Sequence, residues 1–195
     1  MTMTAEALIA QIRELEMQVE EAIAARRAEF GYRIEKGRLE FDAELAKRQK
    51  ELKAKLLPYV TGAPPLVLLS IPFIYSLIFP IVLLDILVTI YQAVCFPIYH
   101  INKVKRRDYI IFDRHRLAFL NIVEKINCAY CSYGNGVFAY ASEVAARTEQ
   151  YWCPLKHARR MAGAHRHYAD FVDFGDAEGY KQRLAGLRNR LHDEM

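Results

Sequence analysis

Residues 66–99 are 34 positions dominated by Leu, Ile, Val, Phe and Tyr, and between Lys55 and Lys103 the only Asp, Glu, Lys or Arg is Asp85. A core helix of a soluble domain is seldom this long or this apolar, so the segment predicts a membrane anchor. As one helix it would measure about 51 Å against a hydrocarbon core of roughly 30 Å. Pro72, Pro80 and Pro97 offer break points, because proline lacks a backbone donor and its ring collides with the preceding turn. Splitting at Pro80, the most central, leaves arms 59–79 and 81–101 of 21 residues each. Each arm would be about 31 Å long, which predicts a proline-broken membrane hairpin over 58–102.

Both flanks are basic. Lys47, Arg48, Lys50, Lys53 and Lys55 precede the segment, and Lys103, Lys105, Arg106, Arg107, Arg114 and Arg116 follow it. The positive-inside rule then puts both ends in the cytoplasm. The would-be turn 78–81 holds no polar residue, which makes the hairpin shallow or re-entrant. The competing reading is a single kinked and tilted span, favoured by Pro58, Gly62, Pro64 and Pro65 in the first arm. Asp85 is costly against lipid, so it is expected to face a partner helix or to be protonated.

Before the anchor, apolar residues recur every eleven positions in two sets: Leu8, Val19, Phe30, Phe41 and Leu52, and Ile12, Ile23, Ile34, Leu45 and Leu56. Eleven residues in three turns is about 3.67 per turn, the signature of a nearly straight seam with a weak right-handed supercoil. One helix over 5–57 would be a stalk about 80 Å long, able to form a homo-oligomer or to bind a helical partner protein. The third seam position fails after Leu15, at Arg26, Gly37 and Arg48, and Glu29, Glu40 and Glu51 border the stripe. Such a narrow stripe suits a coiled-coil-like contact better than a lipid-surface helix. Gly31 and Gly37 are weak points in it.

After the anchor, residues 117–126 have helical spacing, which the run Cys128-Ala-Tyr-Cys131-Ser-Tyr-Gly-Asn-Gly136 is expected to break. Two cysteines two residues apart with glycine following resemble a metal knuckle. Cys153 and His157 supply a second pair, giving C-x2-C-x21-C-x3-H. Three thiolates and one imidazole match a closed tetrahedral structural zinc site, with an iron–sulfur cluster as the alternative cofactor. Unligated buried thiols and a redox dithiol are the other readings of these cysteines. Glu143, Glu149, His165 and His167 are expected to be solvent-facing charge, since no Glu-x-x-His pair suggests a di-metal bundle site.

The stretch 129–157, above all Arg147-Thr-Glu-Gln-Tyr-Trp-Cys-Pro-Leu-Lys-His157, resembles a motif of an uncharacterised bacterial inner-membrane protein family. That resemblance implies a location and no activity. The positive excess lies after residue 100, where 16 Lys and Arg face 11 Asp and Glu, and with Asp85 the net charge is +4. Mild positivity of this kind fits membrane lipids better than nucleic acid. Four cysteines are too few for a secreted disulfide framework, and no signal-peptide pattern opens the sequence.

The expected architecture is thus an all-α membrane protein: a stalk over 1–57, the hairpin, a helical metal-binding domain over 103–174 and a helical tail over 175–195. The expected role is a self-associating, non-catalytic scaffold. A membrane redox or metal-dependent enzyme working near the headgroups, or an accessory subunit of a larger membrane complex, are the alternatives.

Overall fold

The computed structural model describes the backbone of residues 5–29, 32–35, 38–41 and 43–193, and side chains at 7–26, 44 and 46–192. The chain is predominantly helical. It divides into two compact units, one of residues 1–62 with 113–126, the other of residues 63–112 with 127–195.

In the first unit the expected unbroken stalk is replaced by several elements: α1 (Ala5–Glu29), β1 (Tyr32–Glu35), β2 (Arg38–Phe41), α2 (Ala43–Glu51) and α3 (Leu56–Thr61). Strands β1 and β2 pair antiparallel, with Tyr32 opposite Phe41, Arg33 opposite Glu40, Ile34 opposite Leu39 and Glu35 opposite Arg38. The reason is legible in the sequence. Over 32–41 apolar and charged residues alternate with period two, and a two-fold alternation belongs to a strand rather than a helix. The register then sets apolar positions opposite apolar and cations opposite anions.

The eleven-residue seam is therefore continuous only within α1. There Leu8, Ile12, Leu15, Val19 and Ile23 are all exposed, as are Leu52 and Leu56 beyond the hairpin. Phe30 lies outside the described residues, as do the side chains of Ile34, Phe41 and Leu45.

The second unit is built on α4 (Pro65–Ser76) and α5 (Ile78–Ile98), joined by Leu77 alone. By length and composition, 65–98 is one helix long and apolar enough to cross a membrane. Leu77 keeps helical dihedrals, φ −63° and ψ −15°, so the chain kinks there without reversing. The expected hairpin at Pro80 does not form. Pro80 falls in the first turn of α5, where it has no N–H to offer the Ser76 carbonyl, and its ring clash at i−4 puts the interruption at Ser76 and Leu77.

Helix α6 (Ile122–Trp152) accompanies α4 and α5 in the same direction. Tyr75 meets Tyr130 edge-on, Ile81 lies over Gly134, Gln92 bonds Tyr140, and Tyr99 stacks on Tyr151. The numbers rise together along both helices. Two helices that run parallel need a return segment, and residues 101–112 provide it as a strap.

The strap begins where α5 ends in a Schellman-type turn. The Ile101 N–H reaches back to the Phe96 carbonyl at 2.8 Å, and His100 holds the left-handed conformation at φ 56°. Running back, Val104 meets Gln92, Arg106 meets Asp85, and Tyr109 and Ile110 pass across Gly136. Helix α7 (Ala177–Asp193) closes the unit through Leu187 and Leu191. One core gathers Phe96, Ile101, Val104, Tyr140, Val144 and Leu191, and a smaller one gathers Ile81, Ile110 and Val137. Residues 103–112 and the helical tail thus belong to the same compact unit as the apolar helix.

Candidate functional site

The cysteine constellation does not converge. Cys128 and Cys131 sit within continuous α6, and Cys153 is the first residue beyond its end. Twenty-two helical positions at 1.5 Å each put Cys131 and Cys153 about 33 Å apart along the axis. A shared zinc holds each thiolate at about 2.3 Å, and an iron–sulfur cluster needs similar proximity. His157 is elsewhere engaged, stacked on Tyr168 with ring centroids 6.2 Å apart. These four residues do not fit one metal centre in this fold, and among the described residues no three His, Cys, Asp or Glu side chains are grouped to hold a metal.

The knuckle expectation fails because its glycines have another task. A Cβ on Gly136 would lie 2.8 Å from the Tyr109 carbonyl oxygen and 2.9 Å from the Ile110 Cα. Glycine is what lets the strap's backbone lie directly on α6. With the small residues absorbed by packing, nothing interrupts the helix, and its amides pair along the helix instead of turning toward thiolates.

Instead, the structure builds a ladder of polar contacts along the inner side of α5. Asp85, 7% exposed, accepts from Arg106 Nε at 2.8 Å and Nη2 at 2.6 Å, and from the Tyr133 hydroxyl at 2.8 Å. Asp85 thus faces a neighbouring helix, through Tyr133 of α6, and the strap, through Arg106. Bidentate geometry with a third donor is among the strongest ways to keep a carboxylate ionised away from water. Seven residues on, the Gln92 amide accepts from the Val104 N–H at 3.0 Å and donates to the Val104 carbonyl at 3.2 Å. It also bonds the Tyr140 hydroxyl. Two turns of α5 separate these rungs, so both lie on one face, and each fastens the strap.

A second charged centre sits at the C-terminal half of α6. Glu143 accepts from Arg147 at 2.9 Å and Arg166 at 2.7 Å, and its Oε1 lies 3.2 Å from His167 Nε2. Glu143, Arg147 and His167 are all buried. Burial pushes the Glu143 carboxyl up, but the hydrogen bonds from His167, Arg147 and Arg166 outweigh it and hold the group far below the usual carboxylate range. Arg147 also donates to the Asn102 carbonyl at 2.8 Å, so the centre ties α6 to the start of the strap. Six residues beyond Glu143, Glu149 meets His165 at 2.9 Å.

The expectation of solvent-facing charge at Glu143, Glu149, His165 and His167 is corrected by these contacts. A signal was present: from Ile126 to Thr148 the only charged residues are Glu143 and Arg147, at i and i+4, a spacing that pairs them on one helix face. With three donors committed to it, Glu143 is a structural anion rather than a general base.

No family model, curated protein or solved structure matches the chain. Any functional reading therefore rests on its own residues.

Proposed function

We propose that the protein is a membrane-anchored, non-catalytic scaffold whose apolar helix enters only one face of the bilayer, leaving both flanks on the cytoplasmic side. The carrying observation is that α5 is apolar outward and polar inward. Phe79, Val82, Leu83, Ile86, Leu87, Ile90, Val94 and Ile98 are exposed, while Asp85 and Gln92 are buried against the strap. A soluble protein rarely leaves so wide an apolar face uncovered.

Geometry favours a surface-lying anchor over a full crossing. From Ile74 onward α4 and α5 bond to α6, and the stretch before that contact, residues 65–73, is about 14 Å of helix, less than half a hydrocarbon core. The strap carries exposed Lys103, Lys105 and Arg107 alongside the Asp85 to Phe96 stretch, and each such charge at bilayer centre would cost about 2.5–3.5 kcal/mol. Exposed α6 residues in the same region, among them Cys131, Asn135, Phe138 and Ser142, are uncharged, which suits the headgroup boundary. The scaffold role draws on the exposed stripe of α1, proposed as the contact with a second copy.

Fractionation tests the anchor. The full chain is expected in the membrane pellet after high salt and alkaline carbonate, released only by detergent. Replacing Leu83, Ile86, Leu87 and Ile90 by glutamine is expected to move it to the supernatant. Recovery of the wild-type chain as a soluble, monodisperse protein would overturn the proposal.

A further inference from the structure

The uncharged face of α6 ends on a tryptophan. Cys131, Phe138, Ala145 and Trp152 are all exposed and stand seven residues apart, nearly two full turns, so they share one face of the helix. The Trp152 ring meets Tyr99, the residue after α5, and Tyr151, each edge-on at 5.3 Å, and Ile98, which precedes Tyr99, is exposed. Half-exposed tryptophan and tyrosine at the end of an apolar helix are the residues that settle at a headgroup boundary.

Beyond Trp152 the chain becomes basic. From 150 to 169 it has four Lys and Arg and no Asp or Glu. Two of the four are paired, Lys156 with Asp173 at 2.9 Å and Arg166 with Glu143 at 2.7 Å. Arg159 and Arg160 are exposed, and among the described residues neither guanidinium has a hydrogen-bond or ion-pair partner. The loop that carries them is fastened at its base. The Lys156 N–H donates to the Val172 carbonyl at 2.8 Å, the Val172 N–H to the Pro154 carbonyl at 2.9 Å, and the His157 N–H to the Tyr168 hydroxyl at 2.6 Å. Gly163, at φ 70°, takes the left-handed conformation on the return. Both arginines line a cleft of about 500 Å³ with His157, Gly163 and Tyr168 among others.

We infer that this loop binds the phosphate of an anionic phospholipid through Arg159 and Arg160, with Trp152 seated in the headgroup layer. The site adds a lipid class to the membrane reading above, on which it rests. Two residues, at most about 7 Å of chain, separate Trp152 from the loop's base at Pro154, so the aromatic and cationic groups meet the same surface. A guanidinium presents paired N–H donors that match two phosphate oxygens, and it is more weakly hydrated than an ammonium. A zwitterionic headgroup brings its own cation, so two uncompensated arginines favour a lipid of net negative charge. Affinity for nucleic acid grows with the number of phosphates neutralised. Two free guanidinium groups beside an apolar face suit a headgroup better.

Trp152 is the protein's one tryptophan, so its fluorescence reports the lipids around it. The full chain is placed in nanodiscs of phosphatidylcholine and phosphatidylglycerol, with quenching bromine on the acyl chains of one lipid or the other. Brominated phosphatidylglycerol is expected to quench more than the same fraction of brominated phosphatidylcholine. Each arginine at an anionic surface is worth about fivefold in affinity, so Arg159→Gln/Arg160→Gln is expected to need up to about 25-fold more phosphatidylglycerol for half-maximal quenching. Lys47→Gln/Lys50→Gln, which removes the same charge from the other compact unit, is expected to leave the preference unchanged.

A preference for phosphatidylglycerol lost in the loop variant alone supports the inference. Entry into phosphatidylcholine nanodiscs with equal quenching by the two lipids, or with equal losses in the two double variants, overturns it and leaves the anchor standing. Equal quenching together with saturable binding of glycerol 3-phosphate or a single-stranded oligonucleotide, lost in the loop variant, assigns the loop to a soluble phosphate instead. Failure to enter phosphatidylcholine bilayers, with sedimentation on phosphatidylglycerol vesicles that the loop variant loses, overturns the anchor reading alone. Binding to neither lipid overturns both.

Discussion

Glu143 holds three donors from two segments distant in sequence, and its energetics set a pH dependence. Its folded carboxyl titrates well below the unfolded value of about 4.3. The stabilisation is therefore fully present above that unfolded value and is lost as pH falls through the folded one. Chemical denaturation of the detergent-solubilised protein is expected to show stability declining below about pH 4.5, with a flatter profile in Glu143→Gln. Removing the carboxylate by Glu143→Ala takes away the anion paired with Arg147, whose side chain is 8% exposed, and is expected to cost about 3 kcal/mol. Gly136 gives the complementary steric test. Gly136→Ala drives a methyl into strap backbone that has no rotamer to yield, and a loss of about 1–3 kcal/mol is expected in the same assay. At this scale the sequence was partly misleading. The spacing of Gly134 and Gly136 after two cysteines suggested a knuckle, because a metal loop and a helix carrying close backbone contact both favour small residues. Only the fold tells them apart.

At the level of elements, the apolar helix and the helical C-terminal half were legible from composition and periodicity, since each depends on local pattern. The β1–β2 hairpin has a local signal too, but an eleven-residue repeat and a two-residue alternation coincide at Ile34 and Phe41, where the longer period masks the shorter. The strap was not legible. Residues 101–112 have neither helical nor strand periodicity, and their path is fixed by distant partners: Gln92 for Val104, Asp85 for Arg106, Gly136 for Ile110. Two expectations follow for elements. Because Cys128, Cys131, Cys153 and His157 are spread along α6 and beyond it, chelator treatment is expected to leave helicity and thermal midpoint unchanged; a melt on chelation would show that they meet in a form other than this one. The exposed stripe of α1 is expected to carry self-association, so Ile12→Lys with Val19→Lys should reduce the detergent-corrected oligomer mass measured by light scattering. An unchanged mass would remove α1 from the interface.

For the whole molecule, the balance lies between an apolar face that needs lipid and a charged strap that needs water, both fastened to the same helix. A membrane-spanning chain buries its polar groups on all sides or pays for each one exposed. Here Asp85 and Gln92 are satisfied internally, while exposed Lys103, Lys105 and Arg107 follow the opposite flank of α5. On the proposed reading, a helix with those two sides would find its lowest free energy at the interface, half in lipid and half in water. On the proposed reading, the basic residues before and after the anchor would share one compartment, which is what the positive-inside rule predicts from sequence.

The most direct test is the sidedness of the two flanks. In a variant with its four cysteines replaced by serine, single cysteines at Lys55→Cys and Lys105→Cys are probed with a membrane-impermeant maleimide in right-side-out and inside-out vesicles. Both positions are expected to label only from the cytoplasmic face. Labelling of the two from opposite faces would mean that the helix crosses the bilayer, and would contradict the account.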